Sequence, residues 1–192
     1  MSKFLGPIHK WVFNKVIFLE GLNQDLLTFA KNHNIEIACQ NLTFDYQAEL
    51  EEIVDLTNIH GSLQAMINEV EFRLKDITIS LLKTIDLTEL KEVAYNYGLS
   101  NSISNQTNTE EVFKALDDLL VSGMPCDRLN IIKEKDDNKL VYSERIQLFD
   151  QYWLDSNVEY FYQLRESLIK GLLAKSDFNY RQDSKQFIIE RV

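Results

Sequence analysis

Apolar residues repeat at helical spacing through the segment from Gln47 to Thr84, and this pattern constrains the fold more than any other feature of the chain. At about 100° per residue, the apolar side chains of this segment share an arc about 100° wide. They are Leu63, Met66, Ile67, Val70, Leu74, Ile77 and Leu81. The pattern predicts one long helix that turns a single face toward the core of a mostly helical protein.

A polar stripe formed by His60, Gln64, Glu71 and Lys75 borders this apolar arc. His60 and Glu71 are candidate metal ligands, but a helix rises 1.5 Å per residue, so roughly 16 Å separates their Cα atoms and they cannot share one ion. Two simpler interpretations stay open. Glu71 and Lys75 have the spacing of a surface ion pair, and His60 beside Gly61 is equally compatible with a structural histidine.

Lys15 interrupts the apolar face of a second predicted helix, which runs from about Gly6 to Asn32 with Pro7 in its first turn. A buried ammonium group is costly unless it is paired. Lys15 therefore either extends its charge along the helix to solvent or pairs with a carboxylate of a neighbouring helix. Glu71 is the first candidate for that partner, and such a pair would either fix the register of the two helices or form one wall of a polar pocket.

Two shorter helices complete a predicted helical bundle over residues 6–123. The first runs from about Asp86 to Gly98, whose missing Cβ suits a left-handed C-cap. A polar linker follows, and a second helix, capped by Asn108 or Thr109, extends through Ser122.

Residues 124–192 change in character and predict a small subdomain packed on the bundle. The runs 129–135 and 139–145 flank the turn-forming Asp136-Asp137-Asn138, which indicates a β-hairpin. A helix from about Ser156 to Ala174 follows, and Phe187-Ile188-Ile189 can add a strand to the hairpin. The expected fold class is therefore mainly α, of the α+β type.

Charge and composition exclude several classes of function. The 192-residue chain carries a formal net charge of −10, which disfavours binding to nucleic acid or to an anionic membrane surface. We found neither an apolar run long enough to span a membrane nor the pattern of a signal peptide, so we expect a cytoplasmic protein. No motif specifies a cofactor or a reaction.

The segment Gly123-Met124-Pro125-Cys126-Asp127-Arg128 is the second polar constellation. Arg128 would favour the thiolate form of Cys126 and Asp127 would oppose it. No histidine follows His60 in the chain, so a general base would have to come from far upstream. An inert cysteine in a Gly/Pro turn is the simpler interpretation, and a catalytic pair of Cys126 and Arg128 is the alternative.

An aromatic cluster surrounds the start of the last predicted helix. It contains Tyr152, Trp153, Tyr160, Phe161 and Tyr162, with Arg165 and Lys170 nearby. Neighbouring aromatic residues on a helix cannot all face inward, so some are expected at the surface. The cluster could line an apolar or anion-binding pocket against the hairpin, but a core with an adjoining interface patch is the simpler interpretation, and it suggests a homodimer.

Three segments together resemble a family of small, mostly helical bacterial cytosolic proteins that has no assigned activity. They are Phe4-Leu5-Gly6-Pro7-Ile8-His9-Lys10-Trp11, Ile59-His60-Gly61 and the Gly123–Arg128 turn. The resemblance extends over nearly the whole chain. It implies a helical body with an appended hairpin and supplies no catalytic residues.

Two hypotheses of function follow from the sequence. In the first, the protein is a non-catalytic binding or interaction protein that holds a small molecule or divalent metal ion within the bundle, through Lys15, His60, Gln64 and Glu71. In the second, it is a hydrolase or redox enzyme that uses Cys126, assisted by Arg128, with His60 reaching the thiol across the domain junction.

Overall fold

A computed structural model describes residues 5–145, 148–153, 158–183 and 185–192. Its helices are α1 (Pro7–Asn32), α2 (Leu50–Ile53), α3 (Ile59–Leu81), α4 (Leu87–Ser100), α5 (Thr109–Leu119) and α6 (Glu159–Leu173). Its strands are β1 (Asn130–Lys135), β2 (Lys139–Glu144), β3 (Phe178–Asp183) and β4 (Gln186–Arg191). The chain is therefore α+β, as the sequence predicted, with its helices mainly in the N-terminal part and an antiparallel sheet in the C-terminal part.

Helix α1 has almost the bounds that its sequence predicts. Gly6 is its N-cap, Pro7 occupies the first turn, and the Gly6 N–H donates to Nδ1 of His9 over 2.9 Å. Its apolar side packs against α3, whose predicted inward residues, from Leu63 to Leu81, are all buried. These two helices form the centre of the helical part.

The single helix predicted from Gln47 to Thr84 is wrong in its first third. The short α2 ends at Ile53, and α3 begins only at Ile59. Between them, Oδ1 of Asp55 accepts hydrogen bonds from the backbone N–H and the hydroxyl of Thr57, and the Asn58 side chain accepts from the Gly61 N–H. These short polar side chains satisfy backbone groups locally and so compete with a continuous helix.

Gly98 is an interior residue of α4, so its predicted role as a C-cap is wrong. Helix α4 continues to Ser100 and is capped by Asn101. A Cβ on Gly98 would lie 2.2 Å from the Leu168 carbonyl oxygen of α6, and a Cβ on Gly171 would lie 2.1 Å from the Tyr95 carbonyl oxygen of α4. The two glycines therefore allow the backbones of α4 and α6 to touch.

The four strands form one antiparallel sheet in the order β1-β2-β4-β3. The predicted hairpin is confirmed as β1 and β2, with a bulge between Ile132 and Glu134. The predicted Phe187-Ile188-Ile189 strand is also confirmed, since β4 pairs with β2 and places Ile188 opposite Val141. Strand β3 was not predicted.

Helices α5 and α6 cover one face of the sheet through aromatic contacts. Phe113 of α5 meets Tyr142 of β2, and Tyr162 of α6 meets Phe187 of β4. The predicted start of α6 at Ser156 lies outside the described residues. Among the residues that are described, no helix combines the length and apolar character needed to cross a membrane. The domain boundary at residue 123 stays a prediction.

Candidate functional site: a cationic cleft

Lys15 is buried, with 5% of its side chain exposed, and its partner is Asp117 of α5. Its Nζ lies 3.2 Å from Oδ1 of Asp117 and 3.5 Å from the ring centroid of Trp11. The predicted pairing with a carboxylate of a neighbouring helix is therefore confirmed, whereas the extension of the ammonium into solvent and Glu71 as the partner are both wrong. The reason is that α5 packs on α1 and brings the nearer carboxylate.

Burial lowers the pKa of the Lys15 amine from its ordinary value, since desolvation disfavours the charged form. The negative charge of Asp117 partly opposes this shift, and the positive charge of Arg165 adds to it. Lys15 therefore exists as a neutral amine more often than an exposed lysine does at the same pH.

Lys15 lies in the wall of a cleft of about 410 Å³. Helices α1 and α5, the turn after α5, the start of β1 and the end of β2 form this cationic cleft. Its lining residues are Trp11, Lys15, Phe113, Asp117, Ser122, Gly123, Met124, Pro125, Arg128, Leu129, Asn130, Ile132 and Arg145. The cleft therefore combines three cationic side chains and one carboxylate, that of Asp117, with apolar and aromatic walls.

The turn from Gly123 to Arg128 owes its shape to residues that tolerate or stabilise unusual backbone. Gly123 has φ 73°, in the left-handed region that favours glycine. Oδ2 of Asp127 accepts a hydrogen bond from the Met124 N–H over 2.8 Å, and Pro125 begins a single 3₁₀ turn. Arg128 ends this turn, also with positive φ (45°).

Arg165 of α6 attaches this turn to the interior of the protein. Its guanidinium group donates to the Val121 carbonyl oxygen over 3.0 Å and to the Ser122 hydroxyl over 3.1 Å. It also lies 5.2 Å from the ring centroid of Phe149. The segment that leads into the Gly123–Arg128 turn is therefore held in place by a charged side chain of α6.

Arg128 and Arg145 leave the cleft with uncompensated positive charge. Within the described ranges, neither guanidinium group makes a hydrogen bond or ion pair with another side chain, whereas Lys15 is paired with Asp117. The chain as a whole has a net charge of −10. The cleft is thus a local reversal of the overall charge, which favours an anionic ligand.

Cys126 is exposed in the 3₁₀ turn and does not line the cleft, although its neighbours Pro125 and Arg128 do. No hydrogen bond joins its sulfur to any residue that the structure describes. His60, which the enzyme hypothesis places near this thiol, instead has its ring centroid 5.6 Å from that of His9. The thiol enzyme therefore stays a prediction.

The four residues predicted to line one polar pocket are not brought together. His60 is exposed, and Gln64 donates to Oδ1 of Asn68 over 2.9 Å, while Lys15 faces α5. The metal role of His60 and Glu71 stays a prediction, because no group of three or more His, Cys, Asp or Glu side chains suited to a metal occurs among the described residues.

Glu71 is fully buried on α3, and neither of its carboxyl oxygens has a hydrogen-bond partner in the described part of the chain. Burial raises its pKa to about 8, although the charge of Arg165 acts in the opposite direction. The predicted surface ion pair between Glu71 and Lys75 is wrong, since Nζ of Lys75 lies 3.2 Å from Oδ1 of Asp76. Glu71 is therefore an isolated, mainly protonated carboxyl group at neutral pH.

Neither Asp117 nor Arg145 is among the site residues that the sequence predicts. No periodicity singles out Asp117, because it is one of many acidic residues on the helices. Arg145 could have been found from the hairpin, since Leu129 and Arg145 are placed symmetrically about Asp137. The Arg145 N–H indeed donates to the Leu129 carbonyl oxygen over 2.7 Å, and this pairing brings Arg145 beside the Arg128 turn.

The comparisons with known proteins returned no match for this chain, whether against protein-family models, curated proteins or solved structures.

The aromatic residues that motivated a homodimer are largely internal. Tyr152, Trp153 and Phe161 are all buried, and Phe149 stacks on Phe161 with the ring centroids 4.1 Å apart. Tyr160 and Tyr162 are half-buried, and the homodimer stays a prediction.

Proposed function

We propose that this protein binds a small organic anion, a carboxylate or phosphate ester attached to an apolar group, in the cationic cleft. The convergence of Arg128 and Arg145, neither of which pairs with another described side chain, on one cleft within an acidic chain is the observation that carries the proposal. It keeps the predicted class, a small-molecule binding protein. The site now joins Lys15, which was predicted to line a polar pocket in the bundle, to Arg128 of the Gly123–Arg128 segment.

The two guanidinium groups would supply recognition of the anion. Arginine donors match the geometry of carboxylate and phosphate oxygens and can bind them through two parallel hydrogen bonds. Arg128 and Arg145 have no competing side-chain partner among the described residues, so a ligand would not first have to break an ion pair. Charged hydrogen bonds of this kind contribute about 1.5 to 3 kcal/mol each.

The walls of the cleft would bind the rest of the ligand. Trp11 and Phe113 face it from two helices, and Ile132, which is 46% exposed, adds apolar surface at the strand. Its volume of about 410 Å³ is within the range of typical small-molecule sites. A ligand with one aromatic ring and one anionic group therefore suits both the charge and the walls.

Phenyl phosphate is a suitable probe of this site, and its binding can be measured by isothermal titration calorimetry. We expect saturable binding at one site that weakens as salt is added, because the attraction is electrostatic. The double variant Arg128→Gln/Arg145→Gln should lose at least about tenfold in affinity, since two charged contacts are removed.

A matched control changes the same number of charges elsewhere. Lys83 and Arg181 are exposed and outside the cleft, so Lys83→Gln/Arg181→Gln should bind phenyl phosphate within about twofold of the wild type. Phenol, which lacks the anionic group, should not bind measurably. Equal losses in the two double variants, or no saturable binding by the wild type, would refute the proposal.

A further inference from the structure

The position of Lys15 differs from that of an ordinary anion-binding lysine. Its ammonium group is already neutralised by Asp117 at 3.2 Å, and its side chain is almost wholly buried between that carboxylate and the ring of Trp11. The free positive charges of the cleft belong to Arg128 and Arg145. Lys15 is therefore not needed to attract an anion, and its place in the cleft wall calls for another role.

We infer that Lys15 is an imine-forming amine, and that the ligands of the cleft include anionic aldehydes or ketones whose carbonyl carbon bonds to its Nζ. This inference rests on the proposed anion-binding function and names the ligand class more closely. Arg128 and Arg145 hold the carboxylate or phosphate, and the carbonyl end reaches the wall at Lys15. Only 5% of the Lys15 side chain is exposed and its Nζ lies 3.5 Å from the ring centroid of Trp11, so little water would reach the bond.

The proton-transfer chemistry balances with the groups that are present. Asp117 accepts one proton from the Lys15 ammonium, and the neutral amine then attacks the carbonyl carbon to form a C–N bond. The carbonyl oxygen takes that proton from Asp117. The nitrogen next returns a proton to Asp117, which passes it to the hydroxyl as the C–O bond breaks. Water leaves, and a protonated imine remains with the original single positive charge.

Desolvation favours this role of Lys15. A lysine must lose its proton before it can act as a nucleophile, and burial lowers the pKa of this amine from its ordinary value. Lys10, on the same helix, is a useful contrast. Its side chain is 53% exposed and pairs with Glu51 over 2.6 Å, and its pKa is raised by that hydrogen bond.

Reductive trapping tests the inference directly. The protein is incubated with 4-carboxybenzaldehyde and sodium cyanoborohydride at pH 7, and the labelled lysines are identified by peptide mass spectrometry. We expect Lys15 to be labelled at least about tenfold faster than the exposed Lys10 and Lys114, although both are more accessible. The methyl ester of the probe, which lacks the negative charge, should lose this preference for Lys15.

The variant Lys15→Arg should remove the labelled peptide while Lys10 and Lys114 react as before, with folding checked by circular dichroism. Asp117→Asn separates two roles of Asp117. Loss of the proton carrier should slow the labelling of Lys15, whereas loss of a mere charge partner would speed it up by lowering the pKa of the amine further. Faster labelling in Asp117→Asn would overturn the assigned proton transfer.

The outcomes distinguish this inference from the proposed function. If phenyl phosphate binds to the wild type and Lys15 is labelled no faster than Lys10 and Lys114, the imine is refuted and the anion site stands. Equal labelling of Lys15 by the acid and its methyl ester would refute the anionic class of carbonyl ligand. If phenyl phosphate does not bind, the proposed function fails, and with it the basis of this inference.

Discussion

Replacing Gly171 with alanine should lower the stability of the protein by about 2 kcal/mol or more. A Cβ at this position would lie 2.1 Å from the Tyr95 carbonyl oxygen and 2.9 Å from the Leu99 nitrogen. Both atoms belong to the backbone of α4, so no side chain can rotate away to make room. Helices α4 and α6 would have to separate along their contact.

Two opposing effects decide the size of this loss. Alanine is the better helix former and should gain about 1 kcal/mol over glycine inside α6. Forcing extra volume into a packed contact costs about 1 to 3 kcal/mol, and more where the backbone must move. The clash is with backbone atoms at less than 3 Å, so we expect the second effect to exceed the first.

Chemical denaturation followed by circular dichroism measures the change in the free energy of unfolding. Gly6→Ala is the matched control, because the nearest atom to its added Cβ would be Nδ1 of His9 at 4.0 Å. We expect that control to lose no more than about 1 kcal/mol, because alanine is a poorer N-cap than glycine but its Cβ would meet no atom closer than 4.0 Å. A stability of Gly171→Ala equal to the wild type would show that the two helices do not cross as closely as described.

Replacing Glu71 with glutamine should stabilise the protein, and the gain should grow with pH. Glu71 is fully buried, its two carboxyl oxygens have no partner among the described residues, and burial raises its pKa to about 8 from 4.5. The charged group that acts on it from α6 is Arg165, and its effect is too small to reverse the shift. Glutamine has a similar shape and cannot ionise.

The direction in which the stability changes with pH follows from the number of protons that the folded and unfolded states bind. Below pH 4.5 Glu71 is protonated in both the folded and the unfolded chain, so it adds no pH dependence. Between pH 4.5 and about 8 the folded chain keeps a proton that the unfolded chain releases, so the stability falls as the pH rises. The difference between Glu71→Gln and wild type should grow from about zero at pH 4 to about 3 kcal/mol at pH 7.

Denaturation curves at several pH values between 4 and 9 would measure this difference. Glu92→Gln is the control, because Glu92 is exposed on α4 and its removal should change the stability by less than about 0.5 kcal/mol at every pH. A constant difference between Glu71→Gln and the wild type across this range would mean that Glu71 ionises normally in the folded protein.

Regular local patterns of the sequence predicted much of the fold. The period of the apolar residues between Leu63 and Leu81 predicted the buried face of α3, and Pro7 predicted where α1 begins. The turn residues around Asp137 predicted the β-hairpin. These features succeed because they depend on neighbours within a few residues, through backbone hydrogen bonds and the alternation of side chains.

Local sequence patterns do not predict the structure where contacts between residues far apart in the chain decide it. Glycine often ends a helix, but Gly98 lies within α4. Its missing Cβ instead leaves room for the backbone of α6. Strand β3 has only Phe178 and Tyr180 as buried alternating residues, which is too short a pattern to predict, and its pairing with β4 is what makes it a strand.

The sequence by itself determined that Lys15 lies on an apolar helix face and that the Gly123–Arg128 segment is a turn. Only the tertiary structure decided that Asp117, and not Glu71, neutralises Lys15, and that Arg128 and Arg145 meet at the same cleft. The physical reason is that charges interact over a few ångströms in space, irrespective of their separation along the chain. Which charges become neighbours depends on how the helices and the sheet pack.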